Sequence, residues 1–247
     1  MDKPVAIKIF DSLDKLVGAL ASQIADDVQS VLEEKEHFDM VLAGGKSPRP
    51  LYEHLAKYYS EKIAWEKIRF FWSDERYLPP DDPRSNYGMA RESLLDHVPI
   101  NKANIFPFQT SYDDPAEASD AYEKLLKGLF NSEWPHFDLM LLGLGEDCHI
   151  ASLFPHTVTL GEQVRWVVTS LSPEEPVQRL SLTLPVISGS KKICFLATGA
   201  RKTEAVKRVL SMERIEIEDC PARGVRPTAG EIFWWLDKEA AKSVGEL

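Results

Sequence analysis

The chain has 247 residues, 44 % of them apolar and 28 % charged. These are the proportions of an ordinary globular protein, not of a disordered or collagen-like one. Its 29 Lys and Arg residues against 39 Asp and Glu leave a formal net charge of −10, which excludes the broad basic footprint of a general nucleic-acid binder. Any anion site must therefore be a local cluster of Arg, Lys and backbone N–H groups. Cys148, Cys194 and Cys220 are far apart and form no C-x-x-C pair, so they read as reduced thiols and not as a disulfide framework or a zinc cage. No run approaches the roughly 18 apolar residues of a membrane helix, and the first residues lack a signal-peptide pattern. The expected setting is the cytoplasm, with neither nucleic acid nor membrane as a partner.

In chain order, Val5–Phe10 is a strand, and Leu13, Leu16, Val17, Leu20, Ile24, Val28, Val31 and Leu32 recur at helical spacing behind a cap at Asp11 or Ser12. Phe38–Ala43 is a buried strand, followed by a helix over Arg49–Tyr59. Ile68–Trp72 is a strand rich in aromatic residues, Asn86–His97 a helix and Asn104–Phe108 a short strand. Ala118, Ala121, Tyr122, Leu125, Leu126 and Leu129 form a further helical stripe. Phe137–Leu142, Arg165–Ser170, Leu180–Leu184 and Lys192–Thr198 are strands. Arg201–Leu210 is a helix, Glu231–Leu236 a strand, and a terminal helix starts at Asp237. The Pro-rich connections are too short for domain linkers, so one domain is expected over 1–247. Strands alternating with helices predict an α/β fold, doubly wound, with a mostly parallel sheet and helices on both faces. In such folds the loops after the strands hold the chemistry.

Those loops carry distinctive residues. Gly44-Gly45-Lys46-Ser47 follows the second strand and reads as either a phosphate cradle or a tight strand–helix turn. Asp74-Glu75-Arg76 follows the third. Arg76 suits bidentate capture of a phosphate, with Asp74 and Glu75 orienting it or meeting sugar hydroxyls, and the plain alternative is a solvated loop. Gly143-Leu144-Gly145-Glu146-Asp147-Cys148-His149 opens like a dinucleotide fingerprint, but Cys148 stands where the third glycine belongs, so NAD is not expected. Asp147 two residues before His149 is the arrangement that raises an imidazole's basicity and fixes its tautomer. Gly199-Ala200-Arg201-Lys202 places cations at a helix start, where a phosphate would compensate them. His156, seven residues after His149, makes no metal signature. Together the loops describe a small phosphorylated substrate and a histidine-assisted reaction, with no metal and no organic cofactor.

With these residues in view, the chain resembles the 6-phosphogluconolactonase family, within the wider NagB-like group that also holds glucosamine-6-phosphate deaminase. The matching segments are VLAGGKSPRPLYEHLA, FWSDERYLPPDDPRSNYGMARESLL, FDLMLLGLGEDCHIASLFP, RLSLTLP, FLATGARKTEAVKRVL and PARGVRPTAGEIFWWLD, from about Phe38 to Ala241. The resemblance implies a NagB-like doubly wound fold. It also implies hydrolysis of 6-phospho-D-glucono-1,5-lactone to 6-phosphogluconate in the oxidative pentose phosphate pathway, with a small phosphorylated sugar lactone as the partner. It puts the catalytic histidine at His149 with Asp147 beside it. Oxyanion donors are then expected among the Gly143–Gly145 N–H groups, and phosphate contacts from Gly44, Gly45, Lys46, Ser47, Arg76, Lys202 and Arg179. Neither motif nor composition sets an oligomeric state.

Two departures stand out. Cys148 and Ile150 replace the glycine and threonine of the family's usual Asp-Gly-His-Thr-Ala-Ser-Leu-Phe-Pro, and Lys46 replaces a small hydroxyl residue of the cradle. A positive φ at Cys148 would carry strain, and a thiol beside a catalytic histidine is a candidate for oxidation. The deaminase branch usually continues Phe-Asn-Glu-Pro after His-Ile-Ala, whereas Ser152-Leu153-Phe154-Pro155 has no carboxylate. A non-catalytic sugar-phosphate regulator would keep the anion site without needing the Asp147–His149 pair.

Overall fold

The computed structural model describes residues 5–227 and 229–244. The one-domain expectation over 1–247 thus includes residues 1–4, 228 and 245–247, which lie outside the described residues. The first elements follow the hydrophobic pattern closely: β1 (Val5–Phe10), α1 (Leu13–Leu32), β2 (Phe38–Leu42), α2 (Arg49–Tyr59) and β3 (Ile68–Trp72). Ser12 caps α1, its Oγ accepting the Lys15 N–H at 3.3 Å. After β4 (Asp74–Arg76) come α3 (Asn86–Ser93), α4 (Pro115–Leu129), β5 (Leu139–Leu142), β6 (Val167–Leu171) and β7 (Gln178–Leu182). Then α5 (Leu184–Ser188), β8 (Lys192–Ala197), α6 (Thr203–Leu210) and β9 (Glu231–Asp237) complete the set.

Six strands form one parallel sheet in the order β1-β9-β8-β5-β2-β3. Every residue of β2 and β5 is buried, as expected of central strands covered on both faces. Neighbouring residues of β3 point to opposite faces. Phe70 stacks on Trp65, which follows α2, while Phe71 meets Phe130 at the end of α4. The chain runs from β2 outward to β3, then returns to the other side of β2 as β5. The strand order therefore reverses between β2 and β5, and a crevice opens beyond their carboxyl ends.

A second sheet was not legible in the sequence. β4, β7 and β6 form a separate antiparallel sheet in the order β4-β7-β6. Asp74–Arg76, expected as a loop, is a three-residue strand that exists through its pairing with β7. Ser73 is the step between the layers: its N–H donates to Leu42 O at 3.1 Å, and its carbonyl accepts the Leu182 N–H at 2.9 Å. Other expectations shift for local reasons. Asn104–Phe108 makes only an isolated bridge between Ile105 and Phe70, because Pro107 has no N–H to extend a ladder. The Asn86–His97 helix stops at Ser93 and tightens into a 3₁₀ turn over Leu95–His97. Leu184 leaves the strand and starts α5 with Pro185 in its first turn. Arg201 lies in a 3₁₀ turn, Ala200–Lys202, before α6. Among the described residues no helix forms from Asp237. Instead β9 runs through Asp237, whose carboxylate accepts the Gly199 and Ala240 N–H groups, and the chain continues in turns.

Candidate active site

The crevice at the strand-order reversal holds a cleft of about 450 Å³. It is walled by the loops after β2, β5 and β8 and by β4 and β7 of the small sheet. On the β5 loop, the His149 Nδ1 and Asp147 Oδ1 atoms are 2.6 Å apart, and the His149 backbone N–H also donates to that oxygen at 3.1 Å. Burial raises the Asp147 carboxyl, but the hydrogen bonds and charge of His149 outweigh it and hold the group below its usual value. An ionised carboxylate only accepts, so Nδ1 carries the proton and donates. Nε2 has no partner among the described residues. Phe154 packs against the ring, centroids 4.6 Å apart.

Gly145 makes room for this pair. A Cβ there would overlap His149 Nδ1 and Asp147 Oδ1 and lie 2.5 Å from His149 Cε1. The Gly145 N–H is already spent on the His149 carbonyl at 2.8 Å. It is therefore unavailable as an oxyanion donor, unlike Gly143 and Leu144, which line the cleft and donate to nothing among the described residues. Cys148 does adopt a left-handed conformation, φ 69°, which costs a non-glycine residue roughly 1–2 kcal/mol. Its thiol is fully buried with Sγ 3.7 Å from Ala205 O. The neighbouring Cys220 thiol and burial both push it up, the opposite of an activated thiolate.

The opposite wall is cationic. Arg76 and Arg179 are directly paired across β4 and β7, an arrangement of like charges that is unfavourable without an anion between them. Burial and the charge of Arg76 both work against the Arg179 guanidinium. Its Nη1 donates to the Pro176 carbonyl and its Nη2 to Ser172 Oγ at 3.2 Å. Arg76 Nη1 donates to Arg84 O at 2.5 Å. Lys202 adds a cation from the other side, on the β8 loop near Glu146 and Asp147; it is half-buried, and burial lowers its pKa. Among the described residues none of Lys46, Arg76, Arg179 and Lys202 has a carboxylate within ion-pair distance. The backbone N–H groups of Gly44, Gly45, Lys46 and Ser47 donate to nothing among the described residues either. Gly44 is required by close approach, since a Cβ there would overlap the Asn86 side chain. No group of three or more His, Cys, Asp or Glu side chains is placed to share a metal ion among the described residues.

The model of the family described as glucosamine-6-phosphate isomerases/6-phosphogluconolactonase matches residues 11–234. The chain belongs to this family. It is 40 % identical to the 6-phosphogluconolactonase of Synechocystis over 220 residues, 88 % of this chain and 89 % of the relative. Among solved structures it resembles the 6-phosphogluconolactonase of Trypanosoma brucei, with a TM-score of 0.85 and 30 % identity over 98 % of this chain and 99 % of that one. A monomeric glucosamine-6-phosphate deaminase of the NagB superfamily shares the fold at a TM-score of 0.81 and 25 % identity, over 96 % of this chain and 99 % of that one.

Within this family fold, the residues singled out from the sequence, Glu75 excepted, lie on the one cleft: His149, Asp147, Gly145 and Lys202 on the β5–β8 side, Gly44, Gly45, Lys46 and Ser47 at the β2 end, and Asp74, Arg76 and Arg179 on the other wall. Arg201, read beside Lys202 as a cation at a helix start but given no phosphate contact, joins them, as do three residues not singled out. Arg201 pairs with Glu146 at 2.7 Å at the mouth. Ser172 holds Arg179. Asn86, at the start of α3, donates to the Asp74 carbonyl at 2.8 Å. Ser152 Oγ donates to Asp74 Oδ2 at 2.7 Å. Their only sequence signal was proximity to a motif, because each acts through a partner distant in the chain. Glu75 does not face the cleft. It is buried, which raises its pKa, and accepts the N–H groups of Arg76, Asn86 and Tyr87.

Proposed function

We propose that this cleft hydrolyses 6-phospho-D-glucono-1,5-lactone to 6-phospho-D-gluconate, a step of the oxidative pentose phosphate pathway. The observation that carries the reading is one cleft holding an Asp147-paired imidazole opposite cations without carboxylate partners, in a chain of net charge −10. Phosphate binds between Arg76, Arg179 and Lys202, and the Gly44–Ser47 amides and Lys46 complete its cradle. His149 Nε2 takes a proton from water as the water oxygen attacks the lactone C1. The Gly143 and Leu144 N–H groups stabilise the oxyanion. The tetrahedral intermediate then collapses, the bond from C1 to the ring oxygen breaks, and that oxygen receives the proton from His149. Asp147 keeps the imidazole in the required tautomer and stabilises its transient positive charge.

Hydrolysis is favoured over deamination because Phe154, which packs against the His149 ring, stands where the deaminase branch usually carries its glutamate. Three unpaired thiols suit a reducing cytoplasm, and no helix among the described residues is long and apolar enough to cross a membrane. The test compares wild type with His149→Ala on freshly prepared lactone, after subtracting spontaneous hydrolysis. The variant should lose about 10² to 10⁴ in kcat and still bind 6-phosphogluconate. A well-folded wild type that does not accelerate hydrolysis would refute the reading.

A further inference from the structure

Ser152 is fully buried, and both of its polar groups bond the small sheet. Its Oγ donates to Asp74 Oδ2 at 2.7 Å, and its N–H donates to Ser181 Oγ at 3.2 Å. These two acceptors belong to different strands but to one rung, since Asp74 on β4 is paired with Ser181 on β7. Two residues along each strand, on the same face, stands the next rung, Arg76 opposite Arg179. Ser152 is therefore fastened to the rung beside the arginines. At its other end it is three residues from His149, through a stiff stretch of backbone. Ala151 is left-handed at φ 47°, the Leu153 N–H donates to Ile150 O at 2.9 Å, and Ile150 and Leu153 form a bridge. The loop after β5 belongs to the parallel sheet, whereas the arginines belong to the antiparallel one. Ser73 joins the sheets at the β2–β3 end, and Ser152 joins the His149 loop itself to the small sheet.

We propose that Ser152 is a positioning residue that sets the separation between the His149 base and the Arg76–Arg179 phosphate clamp. The inference rests on the phosphate assignment made above. A phosphorylated lactone must satisfy clamp and base at once, and a misplacement of about 1 Å between them costs on the order of 10²-fold in rate. A lactone without phosphate touches only the base end and settles wherever the base lies. Loosening the joint therefore harms one substrate and spares the other, which general loss of stability does not do.

The experiment measures kcat and KM of wild type and Ser152→Ala on 6-phosphogluconolactone and on glucono-1,5-lactone, with spontaneous hydrolysis subtracted and folding checked by thermal melting. The variant should lose about 10- to 100-fold in kcat/KM on the phosphorylated lactone and less than about threefold on the other. Parallel losses on both, or no loss on either, overturn the proposal. If Ser152→Ala does not fold, Ser181→Ala removes the other acceptor and is judged by the same comparison. Should wild type itself not prefer the phosphorylated lactone, the phosphate assignment falls. A wild-type preference that Ser152→Ala leaves intact defeats the positioning role alone.

Discussion

Gly145→Ala is the sharpest perturbation of the catalytic pair, because it changes neither His149 nor Asp147. The added methyl lies 2.5 Å from His149 Cε1, where ordinary contact begins at 3.4 Å, and overlaps both bonded atoms of the pair. The methyl is too close to both partners, so the ring and the carboxylate must each retreat by about 1 Å, enough to break a hydrogen bond of 2.6 Å and to cost on the order of 10²-fold in rate. The Asp147 side chain is 43 % exposed and free to swing outward, whereas the ring retreats against Phe154. Gly145→Ala therefore loses the Asp147 bond and displaces the base as well. Steady-state kinetics on the phosphorylated lactone should give Gly145→Ala a drop in kcat at least as large as that of Asp147→Ala, with little change in KM. The double variant should be no worse than Gly145→Ala alone. A Gly145→Ala enzyme within threefold of wild type, or losses that multiply in the double variant, would refute this account.

Two other outcomes follow from the same loop. Asp147 is held below its ordinary value of 3.8, so its pairing contributes stability that is fully present above that value and is lost as pH falls through the lower folded one. Melting curves should show wild type above Asp147→Asn by on the order of 1–3 °C near neutral pH, with the gap closing under strong acid. A gap that stays constant down to about pH 2 contradicts the pairing. At position 148 the usual helix-era ranking of Ala over Gly reverses: with φ at 69°, Cys148→Gly should be about 1 kcal/mol more stable than Cys148→Ala. Denaturant titration of the two variants decides it, and an alanine variant equal or better removes the case for strain.

How much was legible depended on whether a residue's role is local. β3 was read to the residue because Ile68–Trp72 is a buried run with clear ends. β4 was missed because three polar residues have no periodicity, and only pairing with β7, about a hundred positions later, makes them a strand. The same division holds in the cleft. His149 and Asp147 announce each other at a spacing of two, and the Gly-rich loops announce themselves by composition. Ser152 looked like any small residue in a motif, since its meaning lies in Asp74, 78 positions away. Gly145 was expected among the oxyanion donors of the Gly143–Gly145 loop, yet its amide is occupied and its lack of a side chain is what the site uses.

The order of the large sheet also bears on how the chain is born. Among the described residues β1 has a single neighbour in its sheet, β9, and Val5 pairs with Ile232. During synthesis the first strand must wait for the last, roughly 10–45 s at ordinary elongation rates. Throughout that interval an apolar strand with Val5, Ile7 and Ile9 along one side emerges without a partner. The nascent chain is thus exposed to edge pairing with other chains until β9 has been made, and its slowest risk lies at the edge farthest in the sheet order from β3.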